Sequence, residues 1–400
     1  MSLLPVEDAI AAILKRVPAP VAETVSLADA TGRVLLEPIV ATHNQPPFNS
    51  SAMDGYAVRA EDIVPGHRLP VVGTSQAGAS YAKTLMPGEA IRIFTGAPVP
   101  EGADTVIMQE EAQASDGFVS FTTEARRGHS VRALGNDFAV GQQVVDAHVR
   151  LAPMQLAVAA AANAATLQVA RRPRIALLAT GDELVLPGSE LGPDQIVASN
   201  SFGLRPELLP YAETVTDYGI ARDDRQELRD KLTEIFAAEP DVLITTGGAS
   251  VGDHDIVQEI LVDLGVTLDF WRINMRPGKP LMFGTRGKTL VFGLPGNPVS
   301  AMVTSMVFIR PALRAFLGFP EPALWSLPLA GPTPPNTARR HFMRAHLIQT
   351  PTGPQLQPIA QTDSGHTSSL AQADMLIIQP EFDPGQSPGT IVRAIPLDGF

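Results

Sequence analysis

The residues best suited to chemistry fall in short clusters between positions 180 and 300. They are Thr180-Gly-Asp-Glu183, Asp223, Gly247-Gly-Ala-Ser-Val-Gly-Asp-His-Asp255, the run from Arg272 to Lys279, and Leu294-Pro-Gly-Asn-Pro-Val-Ser300. Glu183, Asp223 and Asp255 carry hard oxygen donors of the kind that hold Mg2+ directly or through water and share it with a substrate phosphate. Taken singly, each also fits a helix N-cap, where a carboxylate accepts the free N–H groups of a first turn. Asp182 and Asp253 are secondary candidates in the same loops. Arg272, Arg276 and Lys279 form a basic run stiffened by Pro277, Gly278 and Pro280, and suit an oxyanion. Ser250 and Ser300 add hydroxyl donors, and Gly247, Gly248 and Gly252 let backbone amides approach an anion at a strand–turn–helix junction.

Several chemistries are excluded. The glycine loop matches neither the dinucleotide fingerprint nor the Gly-Lys-Ser/Thr ending of a P-loop. The eight histidines include no His-Glu-x-x-His, and no Gly-x-Ser-x-Gly elbow accompanies Ser250 and His254. The absence of cysteine removes disulfides, thiolate metal sites and cysteine nucleophiles. With 30 Lys and Arg against 42 Asp and Glu, the net charge of -12 argues against general binding to nucleic acid or an anionic membrane. An anionic substrate then needs a local basic patch or a bound cation. No basic segment followed by an apolar core opens the chain, so a cytoplasmic location is expected. The weakly polar run 151–170 is alanine-rich and interrupted by Pro153, Gln155, Asn163 and Gln168, so it reads as a buried helix rather than a membrane span.

The elements that must position these clusters follow from periodicity. Four hundred residues suggest two to four domains. Val6, Ala9, Ile10, Ile13 and Leu14 form one face of a helix over 4–16, and a second helix is expected over 153–165, able to pack with the first. Between 40 and 136 short strands at 68–73, 90–94, 105–108 and 118–122 predict a small all-β unit, in which Asp54 before Gly55 and Thr95 before Gly96 read as turns. From 174 the rhythm changes. Strands at 175–179, 214–218, 242–244, 268–274 and 290–293 alternate with helices at 199–209, 223–237, 255–264 and 299–316. This predicts a mostly parallel sheet covered on both faces. Each polar cluster then follows a strand, where ligands bind in open α/β sheets. Beyond Gly318 short β signals and proline clusters predict a terminal β domain.

Six segments also carry a resemblance: Ser51-Ala-Met-Asp-Gly-Tyr-Ala57, Ile93-Phe-Thr-Gly-Ala-Pro98, Thr180-Gly-Asp-Glu-Leu184, the glycine loop 247–255, Pro277-Gly-Lys-Pro280, and Leu294 to Ser300. In this order, over nearly the whole chain, they resemble the molybdopterin molybdenumtransferase (MoeA) family, which includes the E domain of gephyrin. The resemblance implies a multidomain α/β and β protein. Its parts are a helical stalk (1–40 plus 137–170), a β domain (41–136), a central α/β molybdopterin-binding, MogA-like domain (171–320), and a C-terminal β domain (321–400). It implies a homodimer in which Asp54 and Thr95 of one subunit close the site of the other. The implied reaction inserts molybdate into adenylylated molybdopterin with Mg2+, releasing AMP and giving molybdenum cofactor.

Matched by motif, Glu183, Asp223 and Asp255 would serve the Mg2+ and pyrophosphate, Ser250, Arg272, Arg276, Lys279 and Ser300 the molybdate or terminal phosphate, and Pro295 and Pro298 the pocket shape. Departures are Arg272 and Arg276, where the family often has lysine, and Phe48-Asn49-Ser50 in place of a commoner acidic form. Arg340, Arg344, Ser364 and Ser368 fall near positions the family uses, without assignable roles. The upstream adenylyltransferase and molybdoenzyme chaperones are implied partners. The alternatives are the adenylyltransferase itself, which shares the glycine loop and the Leu-Pro-Gly-Asn-Pro turn, and a scaffold of gephyrin type.

Overall fold

The computed structural model describes residues 3–124, 126–247, 256–320, 324–361 and 363–397. It divides into two compact units, Thr24–Val169 and Met1–Glu23 with Ala170–Phe400.

In the first unit six short strands form one sheet in the order Thr105–Met108, Gly55–Val58, Ala90–Ile93, Leu69–Ser75, Phe118–Phe121, Ala112–Ser115. Successive side chains on a strand point to opposite faces, and here both faces are covered. Ala57, Ile91, Ile93 and Val106 fill one core, while Val58, Ala90, Ile107 and Val119 fill another. A third core gathers Leu35, Ile39, Phe138, Leu151 and Leu167 around Ala159 of the helix Pro153–Ala161. That helix begins with proline at its first turn, where the missing N–H costs nothing. It ends four residues before the expected 165, as Asn163 adopts a left-handed backbone (φ 64°) that stops the helix.

The second unit is built on a six-stranded sheet in the order Thr214–Ala221, Arg174–Thr180, Val242–Thr246, Thr289–Leu294, Pro280–Arg286, Thr267–Arg272. The first four strands run parallel, and the last two are joined antiparallel. The Arg174–Thr180 strand is buried from Ile175 onward because each face has its own cover. Ala176 and Leu178 pack with Leu228, Leu232, Ile235, Val257 and Ile260 of the helices Arg225–Ala237 and Ile256–Asp263. The helix Asn200–Leu208 also packs on this strand, and the helix beginning at Pro298 lies against the Thr289–Leu294 strand.

The reversed strand Pro280–Arg286 was not expected from the sequence, where Pro277 to Pro280 reads as a rigid turn. Its reversal matters: it starts at the edge where its parallel neighbours end, so Lys279 and Pro280 join the other polar clusters there. Helical structure from Pro298 to Phe316 contains a wider π turn over Ser305–Ile309, just before Pro311, as suits a helix that must absorb an interior proline. Among the described residues this is the one helix long and apolar enough to cross a membrane, and 83% of its apolar window is buried inside the protein. It is a core helix. The helix Val6–Arg16 packs against Arg310–Phe316, tied by Arg16 to Asp269 at 2.6 and 3.2 Å.

A second sheet in this unit runs Met275–Arg276, Arg340–Thr350, Met375–Gln379, Ile391–Pro396, Trp325–Pro328, with Gly353–Pro358 paired to Arg340–Thr350. Its core is Met343, Ala345, Leu356, Met375, Ile377 and Ala394. The two-residue strand Met275–Arg276 pairs in parallel with Arg340 and His341, which brings the basic run against residues some 65 positions later.

Candidate active site

Two cavities open at the carboxyl edge of the parallel strands. One, of ≈ 400 Å³, is lined by Thr180, Gly181, Glu183, Asn200, Asp223, Thr246 and Gly247. The other, of ≈ 420 Å³, is lined by Arg276, Lys279, Ser300, Arg339, His341 and Asp363. Pro280, Pro295 and Asn297 belong to both walls, so the two are neighbours along one surface.

The first cavity is acidic. The capping alternative for Asp223 is resolved by its neighbour: Asp224 accepts from the Gln226 and Glu227 N–H groups at 3.0 and 2.9 Å and caps the helix. Asp223 is thereby free to face the cavity, and its own N–H donates to Asp182 at 3.1 Å. Burial, then the charges of Asp182 and Glu183, push the Asp223 carboxyl above its usual range. Such mutual repulsion is what a bound cation relieves. No group of three His, Asp or Glu among the described residues could hold a metal, and Asp255, expected as the further ligand, lies outside them. So do Ser250, Gly248, Gly252, Asp253 and His254.

Backbone conformation closes this wall. Gly247 has φ 89°, and a Cβ there would sit 2.2 Å from the Thr180 carbonyl oxygen, so no other residue fits. Its N–H donates to the Leu294 carbonyl at 3.3 Å, and the Asn200 side-chain amide donates to the Gly296 carbonyl at 2.8 Å, tying Gly247 and the helix Asn200–Leu208 to the Leu294-Pro-Gly-Asn-Pro turn.

The second cavity is basic. Arg276 makes no ion pair among the described residues, and its Nε is buried without a hydrogen-bond partner. Burial, then Arg339, lowers its pKa. Gly278, at φ 96°, carries the chain between Arg276 and Lys279 tight against the helix that starts at Pro298: a Cβ added there would lie 2.4 Å from the Thr304 methyl. That helix presents Ser300, 4% exposed, to the cavity. Asn297 donates to Ser364 Oγ at 3.1 Å and Val299 N–H to Ser364 O at 3.3 Å, fixing the loop that also carries Asp363.

Of the sequence candidates, Glu183, Asp223, Pro295 and Pro298 line the acidic cavity and Arg276, Lys279, Pro295 and Ser300 the basic one. Arg272 lines neither. Its guanidinium lies 5.1 Å over the Trp271 ring. Arg340 pairs with Glu7 and Glu381 on the far side of its strand. Arg344 is buried and donates to the carbonyls of Gln361, Asp363 and His366 and to Ser369 Oγ, so it shapes the loop carrying Asp363 and Ser364. Ser364 lines the basic cavity and Ser368 does not. In the other unit Asp54 accepts from Thr95 N–H and Oγ1, both at 2.7 Å, and these bonds hold its carboxyl below the usual range. Beside it Arg92 lies over the Tyr56 and Phe94 rings at 5.1 and 4.8 Å.

Sequence reasoning missed Arg339, His341, Asp363 and Asn200. The signal for the first two was faint: a basic pair and a histidine inside a β-period segment, whose partner strand was unknown.

Three family models match the chain in order: the MoeA N-terminal region (domain I and II) over 4–163, a probable molybdopterin binding domain over 176–315, and the MoeA C-terminal region (domain IV) over 326–397. Molybdopterin molybdenumtransferase 2 of Mycobacterium tuberculosis is 37% identical over 377 residues, covering 90% of this chain and 91% of the relative. The molybdopterin molybdenumtransferase of a Nostoc species is 38% identical over 304 residues, 74% of this chain and 70% of the relative. The crystal structure of the molybdopterin biosynthesis MoeA protein from Pyrococcus horikoshii superposes with a TM-score of 0.84 at 27% identity, covering 98% of this chain and 99% of that one. With sequence and fold in agreement from end to end, the chain belongs to the molybdopterin molybdenumtransferase family.

Proposed function

We propose that this protein is a transferase of molybdenum cofactor biosynthesis that inserts molybdenum into adenylylated molybdopterin, using Mg2+ and releasing AMP. The observation that carries the reading is the pair of adjoining cavities of opposite character, one lined by Glu183 and Asp223 and one by Arg276, Lys279 and Arg339, sharing a wall of Pro280, Pro295 and Asn297. A substrate with a pyrophosphate at one end and an oxyanion acceptor at the other needs such a division.

Glu183 and Asp223 would hold Mg2+, with Asp255 as a further ligand. Bound there, the ion supplies charge neutralisation on the pyrophosphate. Arg276, Lys279 and Arg339 concentrate molybdate in the basic cavity, and the Ser300 hydroxyl offers it a donor. The proline-rich shared wall keeps molybdate beside the dithiolene sulfurs of the substrate, which lowers the entropic cost of bringing them together. Arg344 keeps Asp363 and Ser364 in the wall through its bonds to their loop.

The separate cores support divisions near 41–136, 171–320 and 321–400, whereas the N-terminal part of the expected stalk departs from the reading: Met1–Glu23 falls in the second unit, where Val6–Arg16 packs on Arg310–Phe316, and the core around Ala159 draws on residues 30–41 and 138–169. A cytoplasmic homodimer in which Asp54 and Thr95 complete the partner's site belongs to the same proposal. Thr95 is exposed and Asp54 half-buried beside it, and an aspartate held ionised by Thr95 at such a position suits a group presented outward.

The test is direct. Purified protein given adenylylated molybdopterin, molybdate and Mg2+ should release AMP, and Asp223→Asn should release it more slowly and need more Mg2+. Consumption of ATP to form the adenylate would instead make the protein the preceding enzyme. An Asp223→Asn variant with unchanged Mg2+ dependence would remove the aspartate from the metal site.

A further inference from the structure

The basic cavity holds one group with no part in the reading above. His341 is 3% exposed and lines the cavity from the Arg340–Thr350 strand. Register sets it between Arg276 on one neighbouring strand and Gln379 on the other. Its Nδ1 lies 3.3 Å from Gln379 Oε1. The Gln379 amide nitrogen already donates to the Pro334 carbonyl at 2.7 Å and to Asp383 at 3.3 Å, so Oε1 is the atom turned to the imidazole and can only accept. Nδ1 therefore carries the proton. On a neutral ring this makes Nε2 a lone-pair acceptor, and Nε2 has no partner among the described residues.

The charged groups around the ring explain why it is neutral. Arg276 faces it from the adjoining strand, Arg344 from its own, Arg339 from the turn just before that strand, Lys279 and Asp363 from the loops of the cavity, and Asp383 lies behind Gln379. Burial first, then Arg276, pushes the imidazole down to about 4. The preponderance of positive charge that disfavours the imidazolium is the same charge that would attract an anion. A dianion seated among these groups reverses the local field, and the lone-pair nitrogen becomes the acceptor left for a proton.

We propose that His341 is the proton acceptor of this cavity: a tetrahedral dianion binding beside Arg276, Lys279 and Arg339 brings a proton from solvent onto Nε2, which then donates a hydrogen bond to the anion. Anion and proton bind together, so the loaded cavity stores one acidic N–H next to the bound oxyanion. The inference rests on the reading of this cavity as an oxyanion site.

Calorimetric titration of the full chain with molybdate, and separately with sulfate, in two buffers of different ionisation enthalpy counts the protons. Both anions are dianionic at neutral pH, so uptake reports on the protein. Near pH 7 the expected result is uptake of up to one proton per anion, with affinity falling by as much as tenfold per pH unit as pH rises between about 6 and 8. His341→Gln should still bind the anion, more weakly, with no proton uptake and no such pH dependence. Binding to the wild-type protein without proton uptake, or uptake that persists in His341→Gln, overturns the role of His341 and leaves the cavity as an oxyanion site. Failure of both anions to bind the wild-type protein overturns the oxyanion reading itself. The wild-type measurement stands whether or not the variant folds.

Discussion

Arg276→Met separates a residue kept for binding from one kept for folding. The guanidinium lies in the basic cavity with Arg339 as its nearest charged influence, has a buried Nε without a partner, and forms no ion pair among the described residues. Folding gains nothing from that charge. An unpaired buried donor costs about 1–3 kcal/mol, and hydrogen bonds to a charged partner contribute about 1.5–3 kcal/mol once one arrives. Methionine keeps most of the apolar stem and removes the head, while the backbone pairing of Met275–Arg276 with Arg340–His341 needs no side chain. The thermal midpoint should therefore hold or rise, by a gain of about 1 kcal/mol after allowing for partial solvation of the head group. Molybdate affinity should fall by the value of at least one charge-assisted bond, on the order of 10- to 150-fold. Calorimetry with molybdate and thermal unfolding of the same preparation give both numbers. A variant that binds molybdate as tightly as the wild type, or that loses more than about 1 kcal/mol of stability, would refute the reasoning.

Arg310 is the opposite case. Its Nε meets the buried Glu207 at 3.3 Å and its other nitrogens bond the carbonyls of Pro396 and Leu397 at 3.1 and 2.9 Å, so Arg310→Met should cost about 3–5 kcal/mol in thermal or denaturant unfolding at neutral pH. Burial raises the Glu207 pKa above its unfolded value, so stability falls as pH rises from the unfolded value of about 4.3 toward the folded one, and the Arg310→Met deficit should shrink toward about pH 5. A deficit independent of pH would show that Glu207 is not the group left uncompensated. If the site is shared between subunits as proposed, Asp54→Ala and Glu183→Ala should each abolish most AMP release, whereas a mixed dimer carrying one of each should recover one intact site and up to about half the activity per dimer. A mixture as inactive as its parents, with subunit exchange verified, would place Asp54 and Glu183 in the same subunit's site.

What the sequence made legible was set by local physics. The Arg174–Thr180 and Val242–Thr246 strands were readable because burial on both faces leaves a continuous apolar run, and the Arg225–Ala237 helix because Leu228, Leu232, Ile235 and Phe236 repeat at helical spacing. Glu183, Asp223, Arg276 and Lys279 were readable because turns after parallel strands converge on one edge. The choice between Asp223 and Asp224 as cap was not readable, since either residue type satisfies a first turn and only the backbone decides which oxygen reaches Gln226 and Glu227. Arg272 shared every local property of Arg276, yet the end of its strand stacks it on Trp271, away from both cavities. The largest gap was on the far wall.

Strand periodicity sends Arg340 toward Glu7 and its neighbour His341 toward the cavity, but that sorting has meaning only once the strand's partners are fixed. Those partners are a two-residue strand at Met275–Arg276, too short to carry any period, and Gln379, more than thirty residues downstream. The motif residues that the sequence advertises form one wall of the oxyanion cavity. The residues that set its proton chemistry lie on the other, placed by pairings between segments that have no local signal. Any comparison of oxyanion binding that varies Arg276 or Lys279 and leaves His341 in place will therefore carry a proton-linked component, and the pH at which affinities are measured has to be held fixed for the arginine and lysine contributions to be separable.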